Sequence, residues 1–167
     1  MALVFIGLGS NIGDGRKNLL LAWQALRAAK QITPLGLSMP YSTAPLGMKS
    51  AQWFTNAVGA VDTSLSPDDL LAFLLSIEQK MGRDRSKGED RVIDLDILYF
   101  NDQIRDSEGL IIPHPELHNR LFVLAPLEEL APNHIHPVRD KTTTTMRQEL
   151  LAATDQSIKR LSWSDDI

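Results

Sequence analysis

Apolar and polar positions alternate most regularly in Arg91-Val92-Ile93-Asp94-Leu95-Asp96-Ile97-Leu98-Tyr99-Phe100. A period of two turns successive side chains to opposite faces of a β-strand. It assigns Ile93, Leu95, Ile97 and Tyr99 to one face and Asp94, Asp96, Leu98 and Phe100 to the other. A continuous apolar run over 2–8 predicts a central buried strand, ending at a Gly9-to-Asp14 turn in which Asp14 can cap a helix over 15–29. Leu19, Trp23 and Leu26 share one face of that helix. A second strand is predicted over 32–41, a loop over 42–48 and a third strand over 56–61. Ser66-Pro67-Asp68-Asp69 signals a helix start, with a serine cap, proline in the first turn and acids near the N-terminus. This helix is expected to reach residue 81 and to bury Leu70, Phe73, Leu74 and Ile77.

Beyond residue 113 the pattern turns helical again, with Phe122, Leu124, Leu127, Leu130 and Ala131 on an apolar face that Pro132 limits. His134 and His136 read as a surface loop, the threonine run 142–145 as a local loop, 145–153 as a last helix and 162–167 as a frayed tail.

Length changes this picture little: 167 residues suit one domain over 1–167 with a real core. With 43% hydrophobic and 23% charged residues the chain reads as globular, and its net charge of -4 carries no nucleic-acid signature. No apolar run approaches the roughly 18 residues that cross a bilayer. Residues 1–9 lack a basic flank and are expected to be a first strand rather than a signal peptide. Cysteine is absent, which excludes disulfides and thiolate metal sites and fits a cytoplasmic location.

Candidate chemistry centres on Asp94 and Asp96. Residues two apart on a strand have Cα atoms roughly 6.5 Å apart, so two like charges stand side by side and need compensation. Hard divalent cations supply it; the plain alternative is an edge strand with a wet face. The preceding loop, 82–91, holds Arg83, Arg85, Lys87 and Arg91 with three acids. A basic loop against paired carboxylates suits a metal-bound polyphosphate, and a solvated charge run is the alternative. Trp53, Phe54 and Asn56 can stack on and hydrogen-bond a flat heterocycle, or simply pack in a core. His114 and Arg120 can add phosphate donors. Glu78, near the end of its helix, is expected to pair with an arginine. The Gly-rich turn 9–13 has neither the Walker lysine pattern nor a dinucleotide fingerprint and reads best as a connector.

These blocks in order, Gly7-Leu8-Gly9-Ser10-Asn11-Ile12-Gly13, Tyr41-Ser42-Thr43-Ala44-Pro45-Leu46-Gly47, Trp53-Phe54-Thr55-Asn56-Ala57-Val58, Gly82-Arg83-Asp84-Arg85, 91–98, Pro113-His114-Pro115 and 120–127, resemble the 6-hydroxymethyl-7,8-dihydropterin pyrophosphokinase family over 1–137. The resemblance implies an α+β, ferredoxin-like fold with an antiparallel four-stranded sheet flanked by helices on both sides. It implies transfer of pyrophosphate from ATP to a pterin hydroxymethyl group, with release of AMP. Carried over, Asp94 and Asp96 bind two Mg²⁺, and Arg83, Arg85 and Arg91 engage phosphates. Lys87, Ile97, His114 and Arg120 complete the ATP site. Thr43, Pro45, Leu46, Phe54, Asn56 and Phe122 hold the pterin, and Glu78 orders the site. The implied partners are small-molecule substrates, with no nucleic acid or membrane, and the expected state is a monomer or weak homodimer. Two other readings are a non-catalytic pterin-binding module and a metal-dependent nucleotidyltransferase. One departure from the family pattern stands out: Glu89-Asp90 replaces the Gly-Pro that many members carry before the residue here numbered Arg91, in a slightly shorter loop without their tryptophan.

Overall fold

In the computed structural model, which describes residues 1–44, 52–82, 88 and 90–164, the N-terminal apolar run forms β1 (Ala2–Ser10). Asp14 accepts a hydrogen bond from the Lys17 backbone N–H and starts α1 (Gly15–Arg27), which buries Leu19, Ala22, Trp23 and Leu26. The predicted second strand is broken into β2 (Ile32–Leu37) and β3 (Tyr41–Thr43), both paired with β4 (Phe54–Thr63). The break has a local cause. Pro40 has no N–H to give the ladder, and Ser38 bridges the gap by donating its N–H to Val58 O and accepting from Val58 N through its hydroxyl, each at 2.9 Å. Residues 42 and 43, expected in a loop, therefore belong to a strand. Ser66 caps α2 (Pro67–Lys80) through the Asp69 N–H, and α2 buries Leu70, Leu74, Ile77 and Glu78.

The acidic strand is β5 (Asp94–Phe100), followed by a hairpin of β6 (Arg105–Ser107) and β7 (Leu110–Ile112). A short 3-10 turn, Leu117–Asn119, leads into α3 (Leu121–Leu130); α4 (Thr143–Ala153) and β8 (Ile158–Arg160) complete the described chain. The main sheet runs β5-β1-β4-β3-β8, with β2 also on β4, and all its pairings are antiparallel. Its order-defining part, β1-α1-β2-β4-α2-β5 with β1 and β4 central, is ferredoxin-like, and the fold is α+β. The sheet is wider than the four strands expected, because β3 and β8 extend it. One face packs on α1 and α2; the other carries Phe5, Val58, Ala60 and Leu98 against Leu117, Val123, Leu124 and Leu127 of the α3 region and Met146 of α4.

The alternation of β5 does not run through. Phe5 pairs with Tyr99 but Ile6 pairs with Ile97, so Leu98 is an extra residue in a β-bulge. The bulge reverses the parity beyond it. Tyr99 joins Leu98 in the α3-side core and Phe100 joins Ile97 in the α1-side core, the opposite of the simple alternation. The turned Tyr99 ring lies 4.4 Å from the His134 ring and 5.7 Å from the His136 ring, centroid to centroid. These histidines are therefore part of the packing and not a surface loop: His136 is 5% exposed, and its Nδ1 accepts from the Val138 and Arg139 N–H groups. The threonine run is likewise not a loop, since Thr142 caps α4 through Thr145 N–H. The tail expected to fray is docked as far as it is described, with Trp163 Nε1 donating to Ser38 O at 3.1 Å; residues 165–167 lie outside the described residues. No described helix is long and apolar enough to cross a membrane.

Burial, with Arg139, His118 and His134 nearby, pushes His136 down to about 4. The unfolded chain binds that proton near 6.5, the folded chain only near 4, so this contribution to stability is complete above pH 6.5 and is lost as pH falls toward 4. Asn at 136 can still accept from the two backbone N–H groups but does not titrate. His136→Asn is expected to remove part of the fall in urea midpoint between pH 6.5 and 4; an unchanged fall would show that His136 does not carry it.

Candidate active site

The site is built on the sheet face of Phe54, Asn56 and Val58 in β4, Gly7 and Gly9 in β1, and Asp94, Asp96 and Leu98 in β5. Register places Asn56, Gly9 and Asp94 in one cross-strand row and Val58, Gly7 and Asp96 in the next. The two glycines are the floor. A Cβ at Gly9 would lie 2.9 Å from Asn56 Oδ1, and one at Gly7 would rest 3.5 Å from Leu98. Above them opens a cavity of about 250 Å³. Arg91, Asp94, Asp96, His114 and Arg120 line its charged part, and Thr43, Phe54, Asn56 and Phe122 its ring-like part. Nine of the predicted site residues, separated by up to 79 positions in the chain, thus meet around one space.

Among the described residues, the Nδ2 of Asn56, a residue 6% exposed, has no hydrogen-bond partner, and neither has the buried Arg91 Nε. A buried, unpaired amide or guanidinium N–H is costly unless a ligand acceptor meets it. Arg91 lies 5.4 Å above the Phe54 ring and Arg120 5.6 Å above Phe122, so each aromatic wall carries a guanidinium.

The acidic side is electrostatically strained. Burial, and then the neighbouring Asp94 and Glu78, push Asp96 up to about 7, against the opposing pull of Arg120 and Arg91. Asp96 lines the cavity. Arg91 Nε stands 3.8 Å from Asp94 Oδ2, too far for a hydrogen bond. His114 is pushed down to about 4 by burial and by Arg120, against Asp94 and Glu116. Its Nδ1 accepts from Glu116 N–H, so the neutral ring carries its proton on Nε2, 4.0 Å from Asp96 Oδ2.

Two supports hold β5 in place. Glu78, 4% exposed, accepts from the Leu95 N–H at 2.8 Å, between the two aspartates. Asn11 donates to Asp90 Oδ1 and accepts from Arg91 N–H, both at 2.7 Å, while its own N–H donates to Arg91 O. Ile97 is the exception among the described site residues. Its side chain is 4% exposed in the α1-side core and is not on the cavity wall. Pro45, Leu46, Arg83, Arg85 and Lys87 lie outside the described residues. Gly7 and Gly9, which the sequence reading leaves without a site role, line the cavity floor. Their signal was present, two glycines at a spacing of two inside an apolar strand, which marks close approach of another group to the backbone.

Comparison with known proteins shows the family. Residues 5–132 match the family described as 7,8-dihydro-6-hydroxymethylpterin-pyrophosphokinase (HPPK). The chain is 42% identical over 134 residues to the 2-amino-4-hydroxy-6-hydroxymethyldihydropteridine pyrophosphokinase of Methylorubrum extorquens, covering 80% of this chain and 85% of that one. It is 41% identical over 129 residues to the Bacillus subtilis protein of the same name, covering 77% of each. It is also 40% identical over 149 residues to the folic acid synthesis protein FOL1 of Dictyostelium discoideum, covering 89% of this chain but only 22% of that longer protein. Among solved structures, the HPPK-DHPS of Plasmodium falciparum superposes with a TM-score of 0.73 at 16% identity, over 90% of this chain and 44% of that one, which supports the fold. The chain belongs to the 7,8-dihydro-6-hydroxymethylpterin-pyrophosphokinase family.

Proposed function

We propose that this chain transfers the terminal pyrophosphoryl group of ATP to the hydroxymethyl group of 6-hydroxymethyl-7,8-dihydropterin, releasing AMP, with two Mg²⁺ ions as cofactors. The observation that carries the reading is the union, in one cavity, of Phe54, Phe122 and an Asn56 amide N–H unpaired among the described residues with the carboxylates of Asp94 and Asp96. A flat heterocycle with polar edges fits the first set, and a metal-bound polyphosphate the second.

The donor set fits Mg²⁺. Among the described residues no group of three or more His, Cys, Asp or Glu gathers as a complete metal cage. Mg²⁺ ordinarily takes one or two carboxylates and completes its shell with phosphate oxygens and water. A cation beside Asp96 would offset the burial and the neighbouring carboxylates that push it up. When bound, the ions neutralise charge on the triphosphate and polarise it toward attack.

In the reaction the pterin hydroxyl oxygen bonds to the β-phosphorus, the bond from the β-phosphorus to the oxygen shared with the α-phosphate breaks with AMP as leaving group, and the hydroxyl proton passes to water or to Asp96. Asn56 reads the ring's polar edge, and Phe54 and Phe122 hold it in plane. Arg91, Arg120 and the neutral His114, through Nε2–H, take phosphate oxygens. Alignment and charge compensation do most of the work in such a transfer. Arg83, Arg85 and Lys87 are proposed as further phosphate contacts, and Pro45 and Leu46 as further pterin contacts.

Incubation with ATP, Mg²⁺ and the hydroxymethyl dihydropterin is expected to yield AMP; ADP, or no nucleotide product, would sink the proposal. Asp94→Ala and Asp96→Ala are each expected to lower turnover by orders of magnitude with an unchanged circular dichroism spectrum. Near-normal turnover in either would remove the two-carboxylate metal site. Gly9→Ala displaces the Asn56 carboxamide, a strain of ~1–3 kcal/mol that falls on the ligand-reading group. Calorimetry is expected to show pterin affinity lowered by roughly tenfold or more, with a melting temperature lowered by only a few degrees.

A further inference from the structure

Helix α3 begins at an unusual residue. Its N-cap position is Arg120, extended at φ -120° and ψ 107°, and no local side chain caps the helix. Arginine has no acceptor with which to satisfy first-turn N–H groups. Its guanidinium lies over Phe122, and both residues line the cavity. The missing cap comes from elsewhere in the chain. Gln156 Oε1 accepts from the Leu121 N–H at 3.0 Å, and Gln156 Nε2 donates to Asn119 O at 2.9 Å. One carboxamide thus holds the peptide groups on either side of Arg120.

Gln156 is itself fixed. Its N–H donates to Thr154 Oγ1 at 3.2 Å. The chain just beyond it forms β8, which pairs with β3 through Tyr41–Arg160, Ser42–Lys159 and Thr43–Ile158. Thr43 Oγ1 also reaches Ser157 O at 3.4 Å, and Leu161 N–H donates to Pro40 O at 2.8 Å. The segment 154–163 therefore grips two cavity walls at once, β3 with Thr43 and the start of α3 with Arg120 and Phe122. It lines no part of the cavity itself and lies outside the region 5–132 that matches the family.

We propose that Gln156 is a positioning residue: by capping α3 from the C-terminal segment it sets the placement of Arg120 and Phe122 and so the affinity for both substrates. That both residues touch substrate rests on the pyrophosphokinase reading above. The division of labour is chemical. A Ser, Asp or Asn at position 120 would cap the helix but remove the guanidinium over Phe122 from the cavity; the distant Gln156 leaves position 120 to arginine.

The test uses the full chain with Gln156→Ala and Gln156→Glu. Glutamate can still accept from Leu121 N–H but sets a carboxylate against the Asn119 carbonyl. In Gln156→Ala, KM for ATP and for the pterin is expected to rise about tenfold, with kcat changed less and with faster amide exchange at Leu121. In Gln156→Glu, Leu121 is expected to stay protected while both KM values still rise, and this variant carries the test should the alanine form not fold. In an Arg120→Ala background the added effect of Gln156→Ala on KM for ATP is expected to vanish, because the two act through one contact. Unchanged KM values in Gln156→Ala, despite faster Leu121 exchange, would reduce the residue to a structural cap and overturn the proposal. If the wild-type chain forms no AMP, the pyrophosphokinase reading fails separately, and unchanged Leu121 protection in Gln156→Ala would overturn the clamp on its own.

Discussion

Two carboxylates on neighbouring inward positions of one strand, in a cavity of about 250 Å³, set the terms for everything around them. Loss of water, and then their mutual repulsion, raise Asp96. Arg91 and Arg120 offset this in part, but Arg91 is held 3.8 Å from Asp94, short of a hydrogen-bonded pair. The strand that carries both carboxylates is fixed through the backbone, by Glu78 on the Leu95 N–H and by Asn11 on Arg91, and both aspartates line the cavity. A charge imbalance held in a rigid frame is the condition under which a cation and a polyphosphate bind as one unit.

The same strand has to serve a polar cavity at one end and an apolar core at the other, and the bulge at Leu98 is how it does both. Up to Ile97, alternation gives the cavity its aspartates and the α1-side core its aliphatic residues. Beyond the extra residue the faces exchange, so that Tyr99 closes the α3-side core against Phe5 and His134. β1 accommodates the cavity by omission. With Gly7 and Gly9 between Val58 and Asp96, and between Asn56 and Asp94, the middle strand has no side chains where the floor must lie flat.

What could be read from the sequence follows from how local each signal is. Asp14 and Ser66 announced their helices because a cap and its partner lie three residues apart. The aspartate pair was legible because strand period alone fixes it. The reversed roles of Tyr99 and Phe100 were not legible, because a bulge is defined by the partner strand's register. The split of the second strand depended on Ser38 finding Val58, twenty residues away, and β8 on an edge that only the fold presents. His134 and His136 looked like surface residues because their burial follows from the turned Tyr99. Nine of the residues that the resemblance names line one cavity, whereas the side chain of Ile97 faces the core and the glycine floor has no role in the resemblance.

The Glu89-Asp90 departure shows how one constraint can be replaced by another. A proline before Arg91 would restrict the chain covalently, by fixing its own φ and biasing the residue before it toward extended structure. Here Asp90 accepts from Asn11 Nδ2 while the same carboxamide's oxygen takes the Arg91 N–H, and Asn11 N–H closes the set on Arg91 O. Three hydrogen bonds from one residue at the end of β1 thus fix the approach to β5, where a ring would have done so from within the chain. Such a latch can open, since each bond is worth only ~1 kcal/mol net, whereas a ring constraint cannot. In this chain, then, the stiffness of the segment carrying Arg91 is set by side-chain hydrogen bonding between β1 and the entry to β5, and the cation that stands over Phe54 is held by the same residue, Asn11, that ends the glycine-floored strand.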